Sequence, residues 1–350
     1  MPLTKLQFRP GVNRETTSYT NEGGWYDCDK VRFRFGTPEK IGGWQKISSL
    51  SFLGTSRVLH PFVAVDGSRF VGNGTHLKYY LEEGGGYNDI TPLRETTAAG
   101  DVTFAAVNGS STLTITDTAH GANANDFVTF SQAVSLGGVI TAAVLNQEYQ
   151  IVSVPSENSY TIVAREVATL DQITVNGQYT PTPVTANAAD TANGGGSIIG
   201  KYQVQTGLDT TVTGTGWGAG PYSRGTWGSG ADISAVSETL RLWSNDNLGE
   251  DLIINVRNGG IYYWDKSTST APFSRAVELS DVAGADATTP TIAKQIMVSD
   301  RDRHVLAFGC DPQDNIGVQD PLLIRFSDQE NPLVWSSEAT NTAGDLRIGT

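Results

Sequence analysis

Short runs of alternating apolar and polar residues, separated by tight-turn dipeptides, most limit how this chain can fold. Residues 58–65 alternate and lead into Asp66-Gly67, while residues 69–72 are followed by Asn73-Gly74 and then by the apolar run 77–81. A period of two places successive side chains on opposite faces of a strand, and Asp-Gly or Asn-Gly favours a hairpin turn. Three short strands in succession therefore predict a small antiparallel sheet.

The same order of strands and turns returns twice further along the chain. One return spans residues 251–265, with a turn at Asn258-Gly259-Gly260, and the other runs from 303 to 327 and ends at Val334-Trp335. Repeated short sheets of this kind are typical of propeller blades. The sequence therefore predicts an all-β fold with a β-propeller-like body of short antiparallel sheets. One short helix is predicted around Thr291–Val298.

A different sequence separates the first sheet from the second. Residues 103–168 are rich in Ala, Val, Thr, Ser and Asn and contain almost no Lys or Arg. Turn signals at sandwich-like spacing predict an inserted small β-sandwich or barrel module. Its predicted strands are Thr112–Thr116, Phe127–Ser131, Tyr149–Val154 and Ser159–Val163. Its predicted core residues are Leu113, Ile115, Phe127, Val128, Phe130, Tyr149, Ile151, Tyr160 and Ile162.

These segments predict three parts along the chain. Residues 1–99 hold an N-terminal segment and the first propeller-like sheet, and residues 100–185 hold the inserted module. Residues 186–350 begin with a linker by composition, continue through a loop rich in glycine and tryptophan, and end with the remaining sheets.

Charge is distributed unevenly along the 350 residues, whose net charge is −13. Residues 1–57 carry nine basic and five acidic side chains, a balance of +4 that leaves −17 for the rest. A general nucleic-acid binder needs a basic surface. The composition therefore excludes electrostatic capture of phosphates by the chain as a whole.

Strict alternation over residues 30–35 gives the basic segment two faces. As a strand, it places Val31, Phe33 and Phe35 on the core side. The opposite face then carries Lys30, Arg32 and Arg34. Two interpretations remain open: a solvated strand face, or an electrostatic docking face for an acidic partner subunit or for nucleic acid.

No motif for catalysis or cofactor binding meets the requirements of its chemistry. Gly195–Lys201 has the spacing of a phosphate-binding loop, but a tyrosine follows where Mg²⁺ needs Ser or Thr, and the next segment is predicted as a strand. Zinc-ligand spacings and an Asp-rich calcium loop are absent from the sequence. The pairs Asp27/Asp29 and Asp300/Asp302 are commoner as solvated turn residues than as glycosidase carboxylates. We therefore expect no cofactor, no metal and no enzymatic activity.

Two tryptophans stand in the glycine-rich stretch 214–230. Trp217 and Trp227, if exposed on a flexible loop, would stack on sugars or on a partner's surface. The alternative is that they fold back and close the loop on a blade. They are candidate loop contacts.

Several stretches at both ends of the chain and in the insert carry a family resemblance. They are Gly11–Tyr19, Trp25–Asp27, Val31–Trp44, Ala119–Gly121, Asp126–Phe130, Leu145–Asn146, Tyr149–Val152, Ser159–Ile162, Trp217–Gly220, Gly225–Gly228, Arg303–Gly309, Ile324–Pro332 through Trp335, and Asn341–Gly344. Together they resemble tail proteins of short-tailed (podovirus-like) double-stranded DNA phages, and the closest role is the tail nozzle or hub.

The resemblance implies a virion structural protein that forms a ring, as a homohexamer, below the portal and adaptor, around a channel for DNA ejection. It implies as partners the adaptor or head-to-tail connector proteins, tail fibre or needle proteins, viral DNA in transient contact with the lumen, and the host envelope. The protein would act in the virion tail after assembly in the cytoplasm of the host bacterium. Lys30, Arg32 and Arg34 would then be the candidate subunit or adaptor interface.

Two other functions remain open from the sequence. One is a tail protein that binds a receptor or cell-wall glycan, with the insert and the two loop tryptophans facing outward. The other is a tail-associated glycan hydrolase that uses a carboxylate pair such as Asp300 and Asp302.

Overall fold

The structure is a computed structural model that describes residues 9–43, 45, 50–167, 182–206, 242–268 and 273–349. The chain forms two compact units, Met1–Ser49 and Leu50–Thr350. In the smaller unit, β1 (Val31–Arg34) and β2 (Thr37–Lys40) form an antiparallel hairpin in which Val31 pairs with Lys40.

The larger unit begins with a four-stranded antiparallel meander, which we call blade 1. Its strands are β3 (Ser56–Val63), β4 (Arg69–Thr75), β5 (Tyr79–Glu83) and β6 (Gly86–Asp89), and each pairs with the next. Gly67 in the predicted first turn has a φ of +87°, a conformation that favours glycine. The sheet predicted for this part of the chain is confirmed, with a fourth strand added.

Two four-stranded sheets follow, and together they form what we call the sandwich. The first sheet has the order β11-β10-β14-β7 and the second β12-β13-β9-β8. The strands are β7 (Leu93–Thr96), β8 (Thr103–Ala106), β9 (Thr112–Thr116), β10 (Phe127–Ser131), β11 (Glu148–Gln150), β12 (Ser153–Ser156), β13 (Ser159–Val163) and β14 (Ile199–Gln203). Eight of the nine residues predicted for it lie in the core between the sheets, so the prediction is confirmed for those eight. Phe127 is also buried, but its ring lies under Lys78 rather than in this core.

The strand predicted at Tyr149–Val154 is in fact two strands. The chain leaves β11 after Gln150 and enters β12 at Ser153, so it crosses from one sheet of the sandwich to the other. Periodicity alone does not distinguish a continuous strand from one that changes sheets. The domain boundaries between residues 99 and 100 and between residues 185 and 186 remain predictions. Strands β7 and β14 of the sandwich lie just before and just after the predicted module at 100–185.

One short α-helix, α1 (Ala142–Leu145), lies in the sandwich among the described residues, and the Thr141 side chain caps its N-terminus. It is far too short to cross a membrane, and no other helix in the described ranges is long and apolar enough to do so.

Two further four-stranded meanders complete the larger unit. Blade 2 contains β15 (Trp243–Leu248), β16 (Asp251–Val256), β17 (Ile261–Trp264) and β18 (Val277–Glu278), and a 3-10 helix follows at Leu279–Asp281. Blade 3 contains β19 (Gln295–Val298), β20 (Val305–Phe308), β21 (Leu323–Phe326) and β22 (Gly344–Arg347). In each blade, strands pair in chain order.

Two predictions in this region are wrong. The segment Thr291–Val298, expected to be a helix, contains none; its second half is strand β19, where alternate side chains are buried and the backbone pairs with β20. The strand expected at Val334-Trp335 lies outside the sheets, and β22 takes the fourth position. Trp335 is nevertheless fully buried against blade 3, because an aromatic side chain can fill a core from a loop as well as from a strand.

Blade 2 packs between its two neighbours. Leu252 and Ile254 of β16 contribute to the core shared with blade 1, while Ile253 between them contributes to the core shared with blade 3. A strand buried on both faces reads as a continuous apolar run, as β16 does. Face-to-face packing of consecutive four-stranded meanders confirms the predicted all-β, propeller-like body with an inserted sandwich.

Candidate functional site

The basic hairpin of the N-terminal unit presents two of its three predicted cations from a strand. Arg32 and Arg34 are exposed on β1, whereas Lys30 precedes the strand with a φ of +57°. Arg32 Nε lies 3.2 Å from Glu39 Oε2, and Lys30 Nζ lies 3.7 Å from an oxygen of Asp29. These exposed pairs are weak and leave the hairpin open to a stronger acidic partner.

The predicted apolar face of this hairpin is only partly correct. Val31 and Phe33 are half-buried, and the Phe33 ring lies 6.1 Å from that of Trp25. Phe35 is not on the core: it stands in the turn with a φ of +50° and is 95% exposed, beside the Arg34 guanidinium. The alternation ends at Arg34 because the chain must reverse there to form β2. Trp217 and Trp227 lie outside the described residues.

The first strands of the three blades lie side by side, with β15 between β3 and β19. Polar side chains of β15 bond to both neighbours. Asn247 Oδ1 lies 3.1 Å from His60 Nε2 on β3, and Asp246 accepts from the Val298 amide of β19 at 2.8 Å. The Ser244 hydroxyl donates to the Ile296 carbonyl at 2.8 Å. These bonds join the three blades, and two of them satisfy backbone groups at the edge of β19.

A cavity of about 290 Å³ opens beside β15 and β19. It is lined by Leu242, Trp243, Ser244, Arg257, Lys294, Gln295 and Phe308. The lining holds two cations and no carboxylate, and neither Arg257 nor Lys294 forms a side-chain hydrogen bond or an ion pair within the described part of the chain. Cations beside aromatic and aliphatic walls suit a small anionic ligand.

Four ionised side chains join blade 1, the sandwich and blade 2. Lys78 Nζ lies 2.6 Å from both Asp89 Oδ2 and Glu148 Oε2. Arg275 Nη2 lies 3.3 Å from Asp89 and 3.2 Å from Glu148. The Lys78 side chain is only 3% exposed and lies over the ring of Phe127. We call these four residues the junction cluster.

Sequence reasoning missed the junction cluster. Its members lie at 78, 89, 148 and 275, in or next to strands of three separate sheets. The sequence did contain one signal of a buried ion pair, which is Lys78, a basic residue within the apolar run 77–81. A buried lysine requires a nearby anion, but the sequence does not say which of its acidic residues supplies it.

A second buried polar cluster lies inside the sandwich. The Tyr202 hydroxyl donates to Asp117 Oδ2 at 2.5 Å and lies 2.8 Å from the Tyr160 hydroxyl. Burial raises the pKa of the Asp117 carboxyl, although the bond from Tyr202 acts in the opposite direction. All three residues are buried, so the cluster stabilises the sandwich and presents no reactive group to solvent.

The carboxylate pairs considered from the sequence occupy exposed positions. Asp300 and Asp302 lie in the turn between β19 and β20, and the Asp302 amide donates to the Ser299 hydroxyl. Asp27 pairs with Arg14 at 2.6 Å. Within the described ranges, no three His, Cys, Asp or Glu side chains are arranged to hold a metal ion.

No family model matches the chain, and no curated protein matches it. Among solved structures, the chain is similar to one described as phage phi92 endosialidase, with 14% identity and a TM-score of 0.20. That match covers 89% of this chain, which spans 40% of the length of the endosialidase chain.

This comparison corrects one expectation. The sequence was interpreted as that of a protein without enzymatic activity, but the solved chain is an enzyme by name. The exclusion of enzymatic activity is therefore withdrawn. The word endosialidase describes the solved protein. Because the TM-score is only 0.20, the similarity assigns no catalytic residue to this chain.

Proposed function

We propose that this chain is a tail protein of a short-tailed double-stranded DNA phage and, more closely, a subunit of the nozzle or hub ring below the adaptor. The sequence resemblance at both ends of the chain and in the insert supports the family. The blades with an inserted sandwich support the role, since a rigid body with an inserted module offers contact area to several neighbours.

The N-terminal unit is the observation that carries this proposal. Among its described residues, Asn21 alone is buried, while Tyr19 is 94% and Phe35 is 95% exposed. An isolated two-stranded hairpin without a core is marginally stable in water. A basic, aromatic segment of this kind is suited to folding against a partner, as the subunit of an assembly does.

The charge balance fits a DNA conduit. Each Lys or Arg contact with phosphate adds affinity through counterion release, so a channel for rapid passage should present few of them. The −17 carried by residues 58–350 would repel the duplex and let it slide. The basic hairpin would then meet the acidic surface of a neighbouring subunit or of an adaptor, while fibre or needle proteins and the host envelope complete the proposed contacts.

Negative-stain electron microscopy of the purified full chain tests this function. We expect six-fold rings with an open lumen wide enough for a DNA duplex. Particles without a lumen, whether fibres or single chains at all concentrations, would contradict the ring. Virion particles labelled with an antibody against this chain should carry the label at the tail.

The cavity beside β15 and β19 favours a second candidate function, binding of an acidic glycan. Arg257 and Lys294 would contact a sugar carboxylate while Phe308 packs against the ring. Titration of the full chain with an acidic and a matched neutral oligosaccharide tests this function. We expect Arg257→Gln to weaken binding of the acidic one by at least tenfold, with the exposed Arg301→Gln as control. Equal binding of both saccharides would exclude it.

A further inference from the structure

The interfaces between blades within one chain show which kind of side chain packs on the face of a blade. On blade 2, Ile254 faces blade 1 and Ile253 faces blade 3, and both are fully buried. On blade 3, Val305 and Ala307 of β20 are buried against blade 2. Each interface is thus an apolar sheet face packed on another apolar sheet face.

The other face of blade 3 is also apolar, and its side chains are exposed or half-buried; at one end, Gln295 and Phe308 line the cavity beside β15 and β19. Its side chains lie in two cross-strand rows, of which one joins Met297, Leu306 and Phe326 and the other joins Phe308, Ile324 and Leu346. Met297 is 44% and Leu346 is 62% exposed, and the remaining four are half-buried. Gln295 and Gly344 end the two rows, and the His304 ring lies 5.8 Å from that of Phe326. The rows themselves contain no Asp, Glu, Lys or Arg, while Arg257 and Lys294 border the face at the cavity beside β15 and β19. We call this surface the distal face.

Blade 1 has a second uncovered patch, at the opposite end of the series of blades. Leu59 is 64% and Val63 is 61% exposed on β3, where Pro61 between them is also exposed. Val71 of β4 pairs with Pro61 and is half-buried. Arg69 opposite Val63 and Glu82 opposite Val71 lie on the same face, and Phe52 packs on Tyr80 and Tyr87 over β5 and β6. We call the four uncovered apolar residues the open face.

We infer that the distal face of one copy of this chain packs on the open face of the next copy. A single chain carries both halves of one more blade-to-blade interface, and the two halves lie on different blades. Contiguous exposed apolar surface of this kind marks an interaction site. The two rows of the distal face contribute no charged side chain, so two strongly acidic chains can approach here without like charges meeting at the centre of the contact.

This pairing is head-to-tail, because the two faces are different surfaces. Heterologous contacts form a ring when the rotation between copies closes, and a filament when it does not. The inference therefore rests on the proposed ring function. It adds to that function the two surfaces by which neighbouring subunits contact each other.

Mixing two complementary variants tests the inference. One variant carries Met297→Asp and Leu346→Asp on the distal face, and the other carries Leu59→Asp and Val63→Asp on the open face. By light scattering after size exclusion, the unaltered chain should have the mass of an oligomer, and each variant alone that of one chain, 37.3 kDa. An equal mixture should give a particle of twice that mass, since one intact distal face and one intact open face remain.

The sandwich offers a matched control. Val107 and Val152 are 66% and 55% exposed there, so Val107→Asp with Val152→Asp adds the same charge away from both faces and should leave the oligomer intact. Circular dichroism of each variant should match the unaltered chain, because every substituted side chain is exposed. Equal masses for the unaltered chain and both face variants would overturn the inference but leave the ring proposal standing.

Two further outcomes also overturn the inference. Variants that remain single chains when mixed would show that the contact is not head-to-tail. An unaltered chain that is a single chain at all concentrations would overturn both the inference and the proposed ring.

Discussion

At the scale of single residues, the junction cluster shows how buried charge is held in this protein. Lys78 is nearly inaccessible, yet two carboxylates lie within hydrogen-bond distance of its ammonium group. Burial alone would raise the pKa of Asp89, but the charges of Lys78 and Arg275 outweigh it and hold that pKa below its ordinary value. Removal of one partner from such a cluster leaves a buried charge without compensation.

Asp89→Asn should therefore destabilise the protein in a pH-dependent way. Because the folded-state pKa of Asp89 is below that of the unfolded chain, its stabilisation is present above about pH 4 and is lost as pH falls through the folded-state pKa. We expect the variant to lose about 1–3 kcal/mol of unfolding free energy at pH 7 and a smaller amount near pH 3. Urea unfolding at both pH values measures this difference. Exposed Asp302→Asn is the control, and a difference that does not vary with pH would contradict the prediction.

At the scale of elements, a strand's contribution to stability depends on whether one or both of its faces pack against another sheet. Strand β16 is buried on both faces, whereas β22 leaves Leu346 exposed on one of them. Three of the eight sandwich strands, β9, β10 and β13, were predicted with their bounds, because alternation is a local property. The helix expected at 291–298 was not, since a short apolar run fits either structure until Ser244 and Asp246 are seen to bond to its backbone.

Truncation of a buried side chain on β16 should cost far more than the same truncation at an exposed site. Ile254 lies fully buried between blades 1 and 2, so Ile254→Ala creates a cavity and should lower the unfolding free energy by about 2–5 kcal/mol. Ile348 is 53% exposed, and Ile348→Ala should change it by less than about 0.5 kcal/mol. Chemical denaturation measures both, and equal losses would show that blades 1 and 2 do not share this core.

At the scale of the whole molecule, the separation of charge along the chain bears on assembly. Lys30 and Arg32 have carboxylate neighbours within the hairpin, while Arg34 contacts the exposed Phe35 ring. Such exposed contacts contribute little to the unit's own stability. They leave a basic, aromatic surface available to the acidic residues of another subunit.

Reversal of all three cations, as Lys30→Glu, Arg32→Glu and Arg34→Glu, should weaken ring assembly. We expect a lower fraction of rings at every salt concentration. We also expect a weaker dependence of assembly on salt than in the unaltered chain, because the screened attraction has been removed. Sedimentation velocity across a salt series measures both effects. Reversal of the exposed Lys201 and Arg301 is the control, and unchanged ring formation would exclude a role for this surface.

The sequence by itself determined the all-β class, the blade-like repeats and eight residues of the sandwich core, because alternation and turn residues act over a few positions. Tertiary structure alone decided which faces are covered and which charges meet. Phe35 continues an apolar pattern yet is exposed, since the chain turns there. Lys78 and Glu148 lie far apart in sequence and become partners only when the sandwich packs beside blade 1. Such contacts depend on the placement of whole sheets, which no local pattern encodes.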